Sequence, residues 1–130
     1  MYRFRRNGKY NNRRFYVNGI AFDSQREGLR YRDLKLLEDA GEISGLRRQV
    51  AFELIPVQRE PDQVGPRGGV KKGAILERAV EYVADFVYQD RDGKTVVEDV
   101  KGYKGGEAYK LFSLKRKMML FFLGIRVKEV

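Results

Sequence analysis

Asp85 lies inside the apolar run Tyr82-Val83-Ala84-Asp85-Phe86-Val87-Tyr88, and Asp99-Val100-Lys101 ends the next one, which begins near Lys94. A polar group buried among valines without a partner costs roughly 2–7 kcal/mol, and a bare charge costs more. Carboxylates and an amine spent there therefore point to a shared task. Two carboxylates held close together chelate a hard divalent cation such as Mg2+ or Mn2+. An ammonium beside them offsets charge that develops on a phosphoryl group under attack. Alternation along a strand places Asp99 and Lys101 on one face, with Glu98 and Val100 on the other. Folding the chain back at Asp90–Gly93 pairs Tyr82–Gln89 with Lys94–Lys101 and sets Asp85 roughly opposite Asp99.

Other acids have weaker claims. Ser24 and Glu27 form a capping box at a helix start, which gives Glu27 a complete structural task. A helix packed on the sheet would also direct that carboxylate toward the strand acids. Glu98 reads as an exposed or paired acid on the far face, Gln49 and Glu53 as solvent-face residues, and Asp90 and Asp92 as turn formers.

The elements that must hold these groups follow along the chain. Residues 1–14 carry Arg3, Arg5, Arg6, Lys9, Arg13 and Arg14, with no acid and with Tyr2, Phe4 and Tyr10 between them. They read as a basic arm that orders on a polyanion. Residues 15–130 form a single domain. It opens with a short hairpin around Asn18-Gly19 and a helix that starts at Ser24 and continues through Leu29, Leu34, Leu36, Leu37 and Ala40, and Gly41 ends that helix. A strand follows over Leu46–Ile55. Residues 56–73 hold all three prolines and read as an irregular segment, a functional flap or a disordered tip. After the two acid-bearing strands comes a helix over Glu107–Leu123 with Leu111, Leu114, Met118, Leu120, Phe121 and Phe122 apolar. Gly124 stops it, and Ile125–Val130 is a last strand. The order helix, strand, strand, strand, helix, strand makes an α/β (α+β) domain, a mixed sheet with a crossover helix and flanking helices.

Composition narrows the chemistry. The 130 residues include 27 Lys and Arg against 18 Asp and Glu, a formal charge of +9. Phosphates are the natural counter-charge, so a nucleic acid is the expected partner, with the arm, Lys71, Lys72, Lys104 and Lys110 as phosphate contacts. The chain contains no Cys and no His, which removes disulfides, thiolate metal sites and Ser-His-Asp or Cys-His catalysis. A cytoplasmic location is expected. No apolar run approaches the ~20 residues of a membrane helix, so no membrane partner is expected.

The spacing of Asp85, thirteen intervening residues and then Asp99-Val100-Lys101, on elements in this order, resembles the PD-(D/E)XK nuclease superfamily. The resemblance covers residues 20–130. Within that superfamily, NGIAFDSQREGLRYRDLKLLEDAGEI followed by ADFVYQD and VVEDVKG is similar to small phage-encoded nucleases related to Holliday-junction resolvases. It implies a restriction-endonuclease-like αβββαβ core. It also implies Asp85 and Asp99 as ligands of Mg2+ or Mn2+, Glu27 as an acid completing the site, and Lys101 assisting the attacking water. The sequence departs from the pattern at Ala84, where proline is usual, and at Asp99, where Glu is commoner. The shorter Asp99 leaves Glu98 as a substitute ligand, which strand alternation opposes.

The expectation is thus a divalent-metal-dependent deoxyribonuclease acting on DNA phosphodiesters, branched or Holliday-junction DNA in phage recombination or packaging among them. A homodimer is implied by the resemblance, because resolution of a junction needs two active sites. A non-catalytic nucleic-acid-binding protein with a structural acidic cluster is the alternative. A ribosomal or RNA-packaging protein, suggested by charge alone, fits the acidic pair less well.

Overall fold

The computed structural model describes residues 14–130. The chain divides into two compact units, one comprising residues up to Leu46 with Tyr88–Thr95, the other Arg47–Val87 with Val96–Val130.

The first unit opens with β1 (Phe15–Val17) and β2 (Ile20–Phe22), an antiparallel hairpin in register Phe15↔Phe22. Asn18 and Gly19 both have positive φ, 50° and 76°, as a two-residue turn of this hand requires. Helix α1 (Gln25–Asp39) starts at Ser24, whose side-chain oxygen accepts the Glu27 N–H at 3.1 Å. It ends before Gly41, at φ +78°. The buried face of α1 is Gly28, Tyr31 and Leu34, while Leu36, Leu37 and Ala40 are exposed. The Tyr31 ring lies 5.3 Å from that of Phe22. Only glycine fits at position 28, because a methyl group there would stand 2.3 Å from the Phe15 ring. Glu38 accepts from the Lys35 ammonium at 2.7 Å and from the Leu46 N–H at 2.9 Å, which holds its pKa below the usual carboxylate value. In the 90–94 turn the Asp90 carboxylate accepts the N–H groups of Asp92 and Lys94.

The second unit is built on β3 (Ser44–Ile55), then β4 (Gln58–Arg59), β5 (Gln63–Val64), β6 (Val70–Lys71), β7 (Ile75–Glu77), β8 (Val80–Gln89), β9 (Thr95–Asp99), α2 (Gly106–Leu123) and β10 (Lys128–Glu129). The central sheet has the order β10-β9-β8-β3. β8 and β9 are neighbours joined by a short turn and so run antiparallel, whereas β10 returns through α2 and pairs parallel with β9. The fold is therefore mixed α/β, with its large elements in the expected order.

The core of this unit joins Leu54, Tyr82, Ala84, Val87 and Val97 from the sheet, Phe112 and Met119 from α2, and Val127. Phe112 and Met119, seven residues and two turns apart, are buried, whereas Leu111, Leu114, Leu120, Phe121 and Phe122 are exposed. An apolar set covering half the wheel does not say which stripe meets the sheet.

The segment expected to be irregular is an ordered β-ribbon. β4 pairs with β7 and β5 with β6, both antiparallel and one inside the other. Its strands are too short to show a period-2 pattern. Gly73 braces the two ladders. Its N–H donates to the Asp62 carboxylate at 2.9 Å, its carbonyl accepts from Arg59 at 3.1 Å, and the Glu60 N–H donates to the Ala74 carbonyl at 2.8 Å. A Cβ on Gly73 would stand 1.8 Å from the Glu60 carbonyl oxygen. Gly73→Ala is expected to open the ribbon and leave the core intact. In hydrogen exchange the Glu60 and Gly65 amides should then lose protection while those of β8 and β9 keep it.

Candidate functional site

The three sequence-selected groups lie in the second unit: Asp85 on β8, Asp99 at the end of β9 and Lys101 just past it. Asp99 is the most enclosed, with a side chain 7% exposed. Its Oδ1 is 2.7 Å from the Lys101 ammonium, and its Oδ2 accepts the Tyr82 hydroxyl at 2.7 Å. Burial, then the hydrogen bond to Asp99, push the Tyr82 phenol far above its ordinary pKa. Tyr82 therefore remains a donor to Asp99 throughout the working pH range. The Lys101 ammonium also sits 3.8 Å above the centre of the Phe112 ring, a cation–π contact that fixes where its charge is presented. The Lys101 N–H donates to the Val130 carbonyl at 3.0 Å, and the Val130 N–H to the Asp99 carbonyl at 2.9 Å. The end of the chain thus holds the Asp99–Lys101 backbone.

Asp85 is half-buried. Its Oδ2 accepts the Val100 N–H at 2.8 Å and its Oδ1 accepts the Gln49 side-chain amide at 3.2 Å. The first contact sets the carboxylate against the residue next to Asp99, where the β9 ladder ends. Burial is the main cause that raises the Asp85 pKa above the ordinary carboxylate value. The Val100 N–H opposes it, the negative charge of Asp99 adds to the rise, and Gln49 and the positive charge of Lys101 act against it. Asp85, Asp99 and Lys101 are thus electrostatically coupled.

A cleft of about 260 Å³ opens beside this group, lined by Asp99, Lys101, Tyr82, Phe112 and Lys115 among others. Each of the four carboxylate oxygens takes one donor, and a carboxylate oxygen has a second lone pair. Two hard oxygen ligands suit Mg2+, which commonly takes one or two carboxylates and keeps water or substrate phosphate elsewhere. No group of three or more His, Cys, Asp or Glu that could hold a metal ion occurs among the described residues. Two carboxylates alone would leave the rest of an ion's coordination to water or substrate.

Glu27 lies in the first unit, in the opening turn of α1, where its N–H is capped by Ser24. Glu98 is fully buried, which corrects the exposed reading. It faces Lys128 across the parallel pair, at 3.9 Å. Arg3, Arg5, Arg6, Lys9 and Arg13 lie outside the described residues. Arg14, Lys71 and Lys72 are exposed. Lys104 is 3.8 Å from Glu129, and Lys110 is 3.2 Å from Glu107.

Sequence reasoning missed three contributors. Gln49 was read as a solvent-face residue. It is exposed, yet it reaches Asp85 from a left-handed backbone conformation, φ 50°. Tyr82 and Phe112 looked like ordinary core aromatics, and no sequence signal marks the hydroxyl or ring that touches Asp99 or Lys101.

No curated protein and no solved structure matches the chain. A family model described as "Protein of unknown function (DUF1064)" matches residues 7–127. With that match running over nearly all of its 130 residues, the chain belongs to the DUF1064 family.

Proposed function

We propose that the protein is a divalent-metal-dependent deoxyribonuclease with Asp85 and Asp99 as metal ligands and Lys101 as the charge-stabilising amine. The observation that carries this reading is the Asp99–Lys101 ion pair, nearly buried at the edge of a cleft and coupled to a second carboxylate. Buried ion pairs seldom stabilise a fold better than apolar residues of the same volume. An enclosed cluster of two acids and one amine is therefore better explained by chemistry than by stability.

Asp85 and Asp99 would hold Mg2+ or Mn2+, which would supply Lewis acidity toward a phosphoryl oxygen and make a nearby water more acidic. Lys101, held over Phe112, orients that water or offsets negative charge on the phosphorus. Tyr82 keeps the Asp99 carboxylate aimed, and Gln49 and the Val100 N–H do the same for Asp85. Lys115, in the cleft wall, is placed to meet a flanking phosphate. The basic arm and the ribbon extend the DNA contact. Glu27 is retained as a further acid on the strength of the superfamily resemblance. The same resemblance supports a homodimer acting on branched or Holliday-junction DNA, and the exposed apolar side chains of α2 are available for self-association. The reaction would take place in the cytoplasm. No described helix is long and apolar enough to cross a membrane.

One observation favours the second reading, a DNA-binding protein with a structural acidic cluster: all four carboxylate oxygens already have partners. That reading expects DNA binding indifferent to Mg2+ and to the loss of Asp99.

Supercoiled plasmid and a four-way junction should be cut in Mg2+ or Mn2+ and spared in EDTA. Asp85→Ala, Asp99→Ala and Lys101→Ala should each slow cutting by about 100-fold or more. Cleavage that survives Asp85→Ala and Lys101→Ala ends the nuclease reading.

A pH dependence follows from Asp85. A carboxyl whose folded pKa is raised contributes stability that is complete below its unfolded pKa, near 3.9, and lost as the pH rises through the folded pKa. Asp85→Asn is therefore expected to be more stable than wild type at pH 7, with the difference shrinking toward pH 4 in urea titrations. A difference independent of pH would contradict the assignment.

A further inference from the structure

We propose that the outer half of the β-ribbon, residues 63–72, is a finger that docks in a groove of duplex DNA, with Lys71 and Lys72 on phosphates and Arg67 at the tip. The proposal deepens the nuclease reading and rests on it for the choice of DNA as partner.

Charge along the ribbon is segregated. The outer ten residues, Gln63 to Lys72, contain Arg67, Lys71 and Lys72 and no acid. Glu60, Asp62 and Glu77 all lie toward the base, where Asp62 is used to hold Gly73. Arg67, Lys71 and Lys72 form no ion pair with any described residue. Every residue from 56 to 79 is exposed except Gly65 and Gly73, which are intermediate. The tip is nonetheless built. The Gly65 N–H donates to Gly69 at 2.8 Å and the Gly68 N–H to Gly65 at 3.0 Å, closing a turn around Pro66-Arg67. Together with the brace at Gly73, this makes a pre-ordered element, which binds without a large ordering cost.

Its faces match a duplex groove. Gln63 pairs with Lys71, and Val64 with Val70. Directly opposed residues share a face and successive ones alternate. Lys71 ends β6 and Lys72 follows it just outside the ladder, so a finger inserted between two phosphate backbones carries two adjacent cations. The exposed pair Val64 and Val70, 72% and 68% accessible, gains nothing from water and suits apolar contact with thymine methyls. The major groove, about 12 Å wide, admits a two-stranded ribbon. The span from Gln58 to Val64, at about 3.3 Å per residue, gives a reach of roughly 20 Å.

Fluorescence anisotropy on the full chain with a labelled 20-base-pair duplex, in EDTA so that no strand is cut, isolates this step. The triple variant Arg67→Ser/Lys71→Ser/Lys72→Ser should bind about tenfold or more weakly near 0.15 M salt. It should also flatten the slope of log K against log salt by roughly 2–3. The charge-neutral Gly73→Ala should weaken binding in the same assay while circular dichroism stays native. Unchanged affinity and slope in the triple variant overturn the proposal. So does a triple variant that loses binding to phosphatidylserine vesicles while keeping its affinity for the duplex. If wild type binds duplex through these residues but cuts no DNA under any metal condition, the nuclease reading fails and the finger stands.

Discussion

The Asp99 carboxylate is almost withdrawn from water, and its charge is tolerable only because a phenol and an ammonium close on it from two sides. That requirement organises the second unit. Tyr82 must come from β8 with its ring in the core and its hydroxyl at the sheet edge. Lys101 must fold back two residues beyond Asp99, which it does by resting on Phe112 of α2. The register of β10 against β9 secures the backbone of the pair through Val130. Sheet order, crossover helix and final strand thus all bear on one ionic contact.

Asp85 shows the opposite balance. Its burial disfavours the charged form, and its proximity to Asp99 adds to the strain. A cation that reached both acids would stabilise a carboxylate held this way, so the proposed metal ion would offset the burial that raises the Asp85 pKa. Gln49, bent into a left-handed backbone to meet Asp85, fits this pattern of local strain retained near chemistry.

Much of this was legible in the residues, for definite reasons. Asp85, Asp99 and Lys101 stood out because charges among valines break the strand pattern. The ends of α1 and α2 were marked by Ser24, Gly41 and Gly124, whose roles are local. What failed depends on long-range packing. The apolar positions of α1 and α2 were too plentiful to single out one stripe, and only contact with Phe22 or with the sheet selects Tyr31, Phe112 and Met119. Glu98 reads as an exposed or paired acid, and no local rule shows that it is buried with Lys128 of β10 as its partner. The ribbon escaped because two-residue strands carry no periodicity; its order comes from Gly73 and Asp62 acting across the hairpin.

The central claim is that Asp85 and Asp99 bind one divalent ion jointly. Isothermal titration of Mn2+ into the DNA-free protein tests this most directly, alongside Asp85→Asn and Asp99→Asn, each of which preserves shape and removes one charge. The expected result is a saturable site in wild type that is lost or much weakened in both variants. Equal Mn2+ binding by all three proteins, or none by wild type, would contradict it.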